Sequence, residues 1–172
     1  MKREEAKRVT LKKRLLKLIP VYGSYRIEED LREWDRVIRE EAQENLSYGI
    51  QVLINLIESA LMRRDRELIE ASESLREKIK ILRENIKTQG AGYFPRFSPI
   101  KIDSKVLEKT IDIDSYIVEK TGSIKNNLLA IAENEDPGEL ISDLRSVTFQ
   151  IYDVRDLLED RRDLIRSGLM EE

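Results

Sequence analysis

Apolar residues recur at intervals of three and four along most of this 172-residue chain, and no stretch alternates with the period of a strand. Such spacing gathers apolar side chains on one face of a helix, and that face must be covered by another element. From Ile27 to about Arg63 the series is Leu31, Trp34, Ile38, Ala42, Leu46, Val52 or Leu53, Leu56 and Ala60, the stripe of one long helix. Carried on in register, it would put apolar residues near Glu67, Glu70 and Ser74. They stand instead at Leu68, Ala71, Leu75, Ile79, Leu82 and Ile86. The slip predicts a tight turn near Arg64, with Asp65 as the N-cap of a second helix, rather than one helix of some sixty residues.

A further stripe, opened by a cap at Asp103 or Ser104, runs through Val106, Thr110, Ile113, Ile117, Thr121, Ile124, Leu128 and Ile131. It alternates by four and three, the packing period of a bundle or coiled coil. Gly122 lies inside it and permits a close approach or a slight bend. Asn134-Glu-Asp-Pro-Gly138 reads as a turn, with Asp136 preceding Pro137 at the first helical position. The last helix carries Leu140, Leu144, Val147, Ile151, Val154, Leu158 and Ile165 until Gly168 ends it. Arg161 takes a stripe position and should reach solvent or a carboxylate. The expected fold is all-α, an antiparallel up-down four-helix bundle over residues 20–172 with helices at about 26–63, 66–88, 103–133 and 137–167.

Residues 1–19 differ from the rest in charge. They hold Lys2, Arg3, Lys7, Arg8, Lys12, Lys13, Arg14 and Lys17 against Glu4 and Glu5, a balance of +6; the whole chain stands at −3, which leaves −9 for residues 20–172. As a helix over 2–19, this leader would align Leu11, Leu15, Leu18 and Ile19 on one face, with most cations elsewhere. Lys17 interrupts its apolar run, so it reads neither as a signal-peptide core nor as a membrane span. Such a helix can lie on an anionic membrane, meet an acidic protein, or cover an opening in the protein's own core. Lys7, Arg8, Leu11, Lys12, Leu15 and Leu18 are the expected contact residues. Nucleic acid ranks lower as a partner, because the acidic body would repel phosphate and no second basic patch joins the first.

The leader meets the first long helix at a hinge. Pro20 disfavours helix at Ile19, Gly23 and Ser24 permit a turn, and Ser24 can cap a helix starting near Tyr25. Glu28, Glu29 and Asp30 then follow in its first turns, where acidic side chains suit the helix dipole. The run Ile19-Pro-Val-Tyr-Gly-Ser-Tyr25, with Arg32, Asp35 and Arg39 after it, resembles an uncharacterised family of prokaryotic all-helical proteins that bear an Ile-Pro-Gly-Tyr-x-Gly-Tyr-like motif. Gln89-Gly-Ala-Gly-Tyr-Phe94 and Asp114 are similar to later segments of that family. The resemblance implies an all-helical fold over nearly the whole chain and implies no activity.

The one long loop, 89–102, holds two glycines, two prolines and three aromatic residues. A helix over 27–63 would be roughly 55 Å long and one over 66–88 roughly 35 Å, so an extended loop could climb the difference. Tyr93, Phe94 and Phe97 are then expected near Pro20, Tyr22, Tyr25 and Trp34, as an aromatic cluster sealing the top of the bundle. Stacking of these rings on a base or small ligand is the less favoured reading.

Composition excludes several chemistries. The chain has neither cysteine nor histidine, so disulfides, thiolate nucleophiles, zinc–sulfur sites, serine–histidine triads and Glu-x-x-His di-iron centres cannot be built within it. Charged residues make up 38%, above the usual quarter, a thermophile-like composition. A cytoplasmic protein is the simple expectation, with the membrane periphery as a variant of it. Gly90-Ala-Gly92 follows a helix and lacks the third glycine of a dinucleotide fingerprint. Glu108 with Asp112, Glu139 with Asp143, and Glu159 with Asp163 each place two carboxylates on one helical face, which suits hard cations. With 34 acidic residues, solvated faces explain such pairs better than a metal cluster does. Asp114, between Ile113 and Ile117, should be partly buried against an arginine of a neighbouring helix rather than serve as a reactive group.

The expectation is therefore a non-enzymatic interaction or scaffold module without cofactor, with the leader as its contact element and a homodimer as one form of burial for wide apolar stripes. The alternative is a carboxylate-based metal-binding bundle resembling phosphate-uptake regulators.

Overall fold

A computed structural model describes residues 24–88, 104–134 and 136–170. All four elements there are helices that pack against one another, and no strand occurs among the described residues. They are α1 (Ser24–Arg63), α2 (Arg66–Thr88), α3 (Ser104–Glu133) and α4 (Pro137–Met170). The leader expected as a further helix over 2–19 lies outside the described residues, as do the 89–103 segment and Asp103.

The phase slip at Arg64 corresponds to a real break. The Asp65 N–H donates to the Ala60 carbonyl at 3.0 Å and the Arg64 N–H to the Leu61 carbonyl at 3.1 Å. This paired pattern closes a helix when the residue after its last turn adopts a left-handed conformation. Arg64 does so, with φ of 58°. Asp65 then starts α2: its Oδ1 accepts the Leu68 N–H at 3.1 Å and its carbonyl the Ile69 N–H at 3.2 Å. At the other turn the Asp136 carbonyl accepts the Leu140 N–H at 3.2 Å, and Pro137 opens α4.

α1 already includes Ser24, the expected cap, with Glu28, Glu29 and Asp30 in its second turn. α4 differs from expectation and runs two residues past Gly168 to Met170. A helical glycine weakens a helix without obliging it to stop.

α1 packs against α2 and α3, and α4 packs against the same two. Paired positions fall in number along α2 as they rise along α1: Arg83 reaches the Ser47 hydroxyl at 3.3 Å and Arg39 the Lys87 carbonyl at 3.5 Å. They rise together along α1 and α3, where Lys125 sits 5.9 Å from the Tyr48 ring centre and Gly49 faces Leu128. Gly49 leaves room for the Leu128 side chain, since a Cβ there would stand 2.9 Å from Leu128 Cδ1. Gly122 has less to do with close approach, as its Cβ would meet only Asn45 Nδ2 at 3.8 Å.

These pairings set the axial offsets. Thr88 stands about level with Arg39, whereas Ser104 stands about level with the first turn of α1, some four turns or roughly 20 Å away along the bundle. The described end of α2 and start of α3 therefore stand far apart along the bundle. The core follows the expected stripes: Ala42, Leu46, Leu53, Leu75, Ile79, Leu82, Ile117, Ile124, Leu128, Leu144, Val147 and Val154 are all buried in one cluster. Val106, Thr110 and Ile113 are only half-buried, and Ile111 is buried in their place at that end of α3.

Candidate functional site

The expected contact residues Lys7, Arg8, Leu11, Lys12, Leu15 and Leu18 all lie outside the described residues, as do Pro20, Tyr22, Tyr93, Phe94 and Phe97 of the expected hinge and aromatic cluster. Tyr25 and Trp34 are placed as backbone positions of α1, about two and a half turns apart. The proposed aromatic cluster therefore lies outside the described residues.

Within them, the strongest polar feature is an ion pair in the interior. Asp114 of α3 is completely buried and Arg161 of α4 is 8% exposed. Arg161 Nε donates to Asp114 Oδ1, and its Nη2 lies 3.4 Å from Oδ2, so the planar guanidinium faces both carboxylate oxygens. Asp114 arrives there because α3 follows a four-three stripe between Ile111 and Ile117, both buried. Arg161 arrives because it continues the α4 stripe after Val154 and Leu158. Two separate expectations, an aspartate seeking an arginine and a stripe arginine seeking a carboxylate, are met by one contact. Their mutual identity also had a signal in the chain: both lie almost equally far from Pro137, where the α3–α4 turn ends.

The level of the pair explains why charge is tolerated there. By the offsets above, Asp114 is about abreast of Arg36, roughly one turn beyond the end of α2. At this level α2 no longer supplies an apolar wall. Along the α3–α4 seam a second, exposed pair follows, Lys120 with Asp153 at 2.8 Å.

Of the other buried polar groups, Thr121 lies on the expected stripe, whereas Asn45, Ser72 and Ser115 went unread in the sequence. Asn45 and Ser72 are buried on the inward faces of α1 and α2, and the Ser72 hydroxyl has no hydrogen-bond partner. Ser115 and Thr121 are satisfied within α3, donating to the carbonyls of Ile111 at 2.8 Å and Ile117 at 3.0 Å. Small polar residues at stripe positions give no periodic signal, because either the hydroxyl or the methylene can decide their place.

Of the carboxylate pairs, the Glu108 side chain lies outside the described residues. Among the described residues no three Asp or Glu side chains come together as ligands for an ion. Glu139 accepts from Asn134 Nδ2 at 3.1 Å across the turn, and the exposed Asp163 lies 3.8 Å from its neighbour Arg162. On the surface of α2 the Lys80 ammonium, hydrogen-bonded to Glu77 at 2.7 Å, holds that carboxyl below the usual range, with Arg76 adding to the effect. This is the behaviour of a solvated ion-pair face rather than of a reactive group. No helix among the described residues is long and apolar enough to cross a membrane.

Comparison of the chain with models of known families, with curated proteins and with solved structures found no match.

Proposed function

We propose that this protein is a non-enzymatic helical interaction module. It is an up-down four-helix bundle whose basic N-terminal segment, residues 2–19, forms an amphipathic helix and contacts an anionic partner surface. The observation that carries the reading is the division of charge, +6 in residues 1–19 against −9 in the remainder. The alternation of helix sense is supported by the pairings of α1 with α2 and of α3 with α4, whose numbers run in opposite directions. The chain's lack of cysteine and histidine favours binding over nucleophilic catalysis.

In this reading the leader is drawn in by charge and then buries the face of Leu11, Leu15 and Leu18. About 1 kcal/mol per basic residue near an anionic bilayer makes six net charges adequate at low salt. An anionic bilayer and an acidic protein share this chemistry, and flotation separates them. The full chain is mixed with vesicles of anionic or neutral lipid at low and high salt. Salt-sensitive flotation with anionic lipid alone, lowered at least ten-fold by Leu15→Glu, is the result expected of a bilayer partner. Flotation with neither lipid directs the test to a protein partner, captured by the full chain but not by Leu15→Glu. In both cases circular dichroism should show helices 24–170 unaffected. Affinity unchanged by Leu15→Glu removes the leader as the contact.

A further inference from the structure

The turn between α1 and α2 ends in apolar side chains with little over them. Met62 is 88% exposed, the most of any large apolar residue among those described, and its neighbour Leu61 is 56% exposed. Arg63, Arg64 and Arg66 follow at once; all are exposed, and none makes an ion pair with any described residue. Two acids adjoin them, Asp65, engaged in capping α2 through the Leu68 N–H, and the exposed Glu67, so residues 61–67 carry a net charge of +1. Arg64 holds a left-handed conformation where glycine is the usual residue, so a third cation is kept at the tip despite the backbone's preference.

We infer that this tip is a second contact element, made for the surface of an anionic bilayer and separate from the basic leader. Met62 and Leu61 enter the headgroup layer, and the three guanidiniums pair with lipid phosphates. The shape favours a bilayer over an acidic protein. A two-residue helix hairpin ends in a narrow convex point, which a soft interface accommodates but which a folded partner must match with a cavity. Charge adds a smaller part: three arginines against Asp65 and Glu67 leave +1 at the tip, about a five-fold gain at an anionic surface, so the apolar side chains supply most of the contact. α1 is 40 residues long, which sets the tip about 60 Å from the end at which the leader joins. The two contacts can therefore be removed one at a time.

The test uses the full chain with Leu15→Glu, which breaks the leader's apolar face while its cations remain, and vesicles of equal parts phosphatidylserine and phosphatidylcholine; the binding assigned to the tip is the part that tip substitutions remove. This chain is expected to keep a salt-sensitive fraction of binding. Adding Met62→Glu and Arg63→Glu should lower that remainder at least ten-fold with unchanged circular dichroism, since both side chains are exposed. The proposal is overturned if Leu15→Glu alone ends all binding, or if the two tip substitutions leave the remainder as it was. It is also overturned if the tip binds poly-glutamate but no vesicle. Failure of the leader reading looks different: Leu15→Glu then binds as the unmodified chain does, while the tip substitutions still act.

Discussion

Asp114 and Arg161 lie where a hydrophobic stripe would ordinarily continue, and their energetic role depends on both being present. Removing two charges from water is costly, and their attraction repays that cost only while each faces the other. Asp114→Ala should therefore destabilise the protein by about 3–5 kcal/mol, because it takes away the carboxylate that faces a guanidinium held in the interior. Replacing both, by Asp114→Leu with Arg161→Met, should restore most of the loss, and urea unfolding of the two variants checks this. A double variant as unstable as the single one would mean that the pair is not the source of the effect. What it offers in return is uniqueness of register, since a slide of α3 along α4 by one turn would part the two charges. The sequence allowed the burial of Asp114 and the demand of Arg161 to be read from helical phase. Asn45 and Ser72 could not be read so, because their burial depends on which neighbour stands opposite, and phase along one helix carries no such information.

At the scale of elements, the break between α1 and α2 was legible without glycine or proline, because apolar phase is a stronger signal than turn composition. Arg64 stands in a conformation that costs a side-chain-bearing residue about 1–2 kcal/mol. Part of any gain from glycine is returned through the freer unfolded chain, about 0.4–1 kcal/mol. Arg64→Gly is thus expected to stabilise the protein by up to about 1 kcal/mol, which corresponds to a rise in melting temperature of about 2–4 °C. A fall instead would show that the arginine side chain stabilises the turn by more than its backbone costs. Gly168 teaches the converse lesson. Read as a helix stop, it lies inside α4, because a glycine ends a helix only where the backbone also turns left-handed.

For the whole molecule, the all-helical class, the four helices and most of their inward residues followed from three-four spacing. Which helices become neighbours did not, because spacing assigns a face to each helix but no partner to that face. The placing of α1 beside α3, and of α2 beside α4, came from the structure. So did the apolar exposure at Leu61 and Met62, which fall off the stripe that ends at Ala60. The chain thus falls into two consecutive helix pairs, α1 with α2 and α3 with α4, the members of each packed together and joined by two or three residues. Every contact between α1 and α3, or between α2 and α4, crosses from one half to the other. Continuity of the peptide between those halves is then a matter of local concentration rather than of architecture. Cut between residues 95 and 96 and expressed as two fragments, the protein should reassemble on mixing into a one-to-one complex with the helical signal of the intact chain. Fragments that stay apart would show instead that the stripes shared between the two pairs are too weak to hold the bundle without their tether.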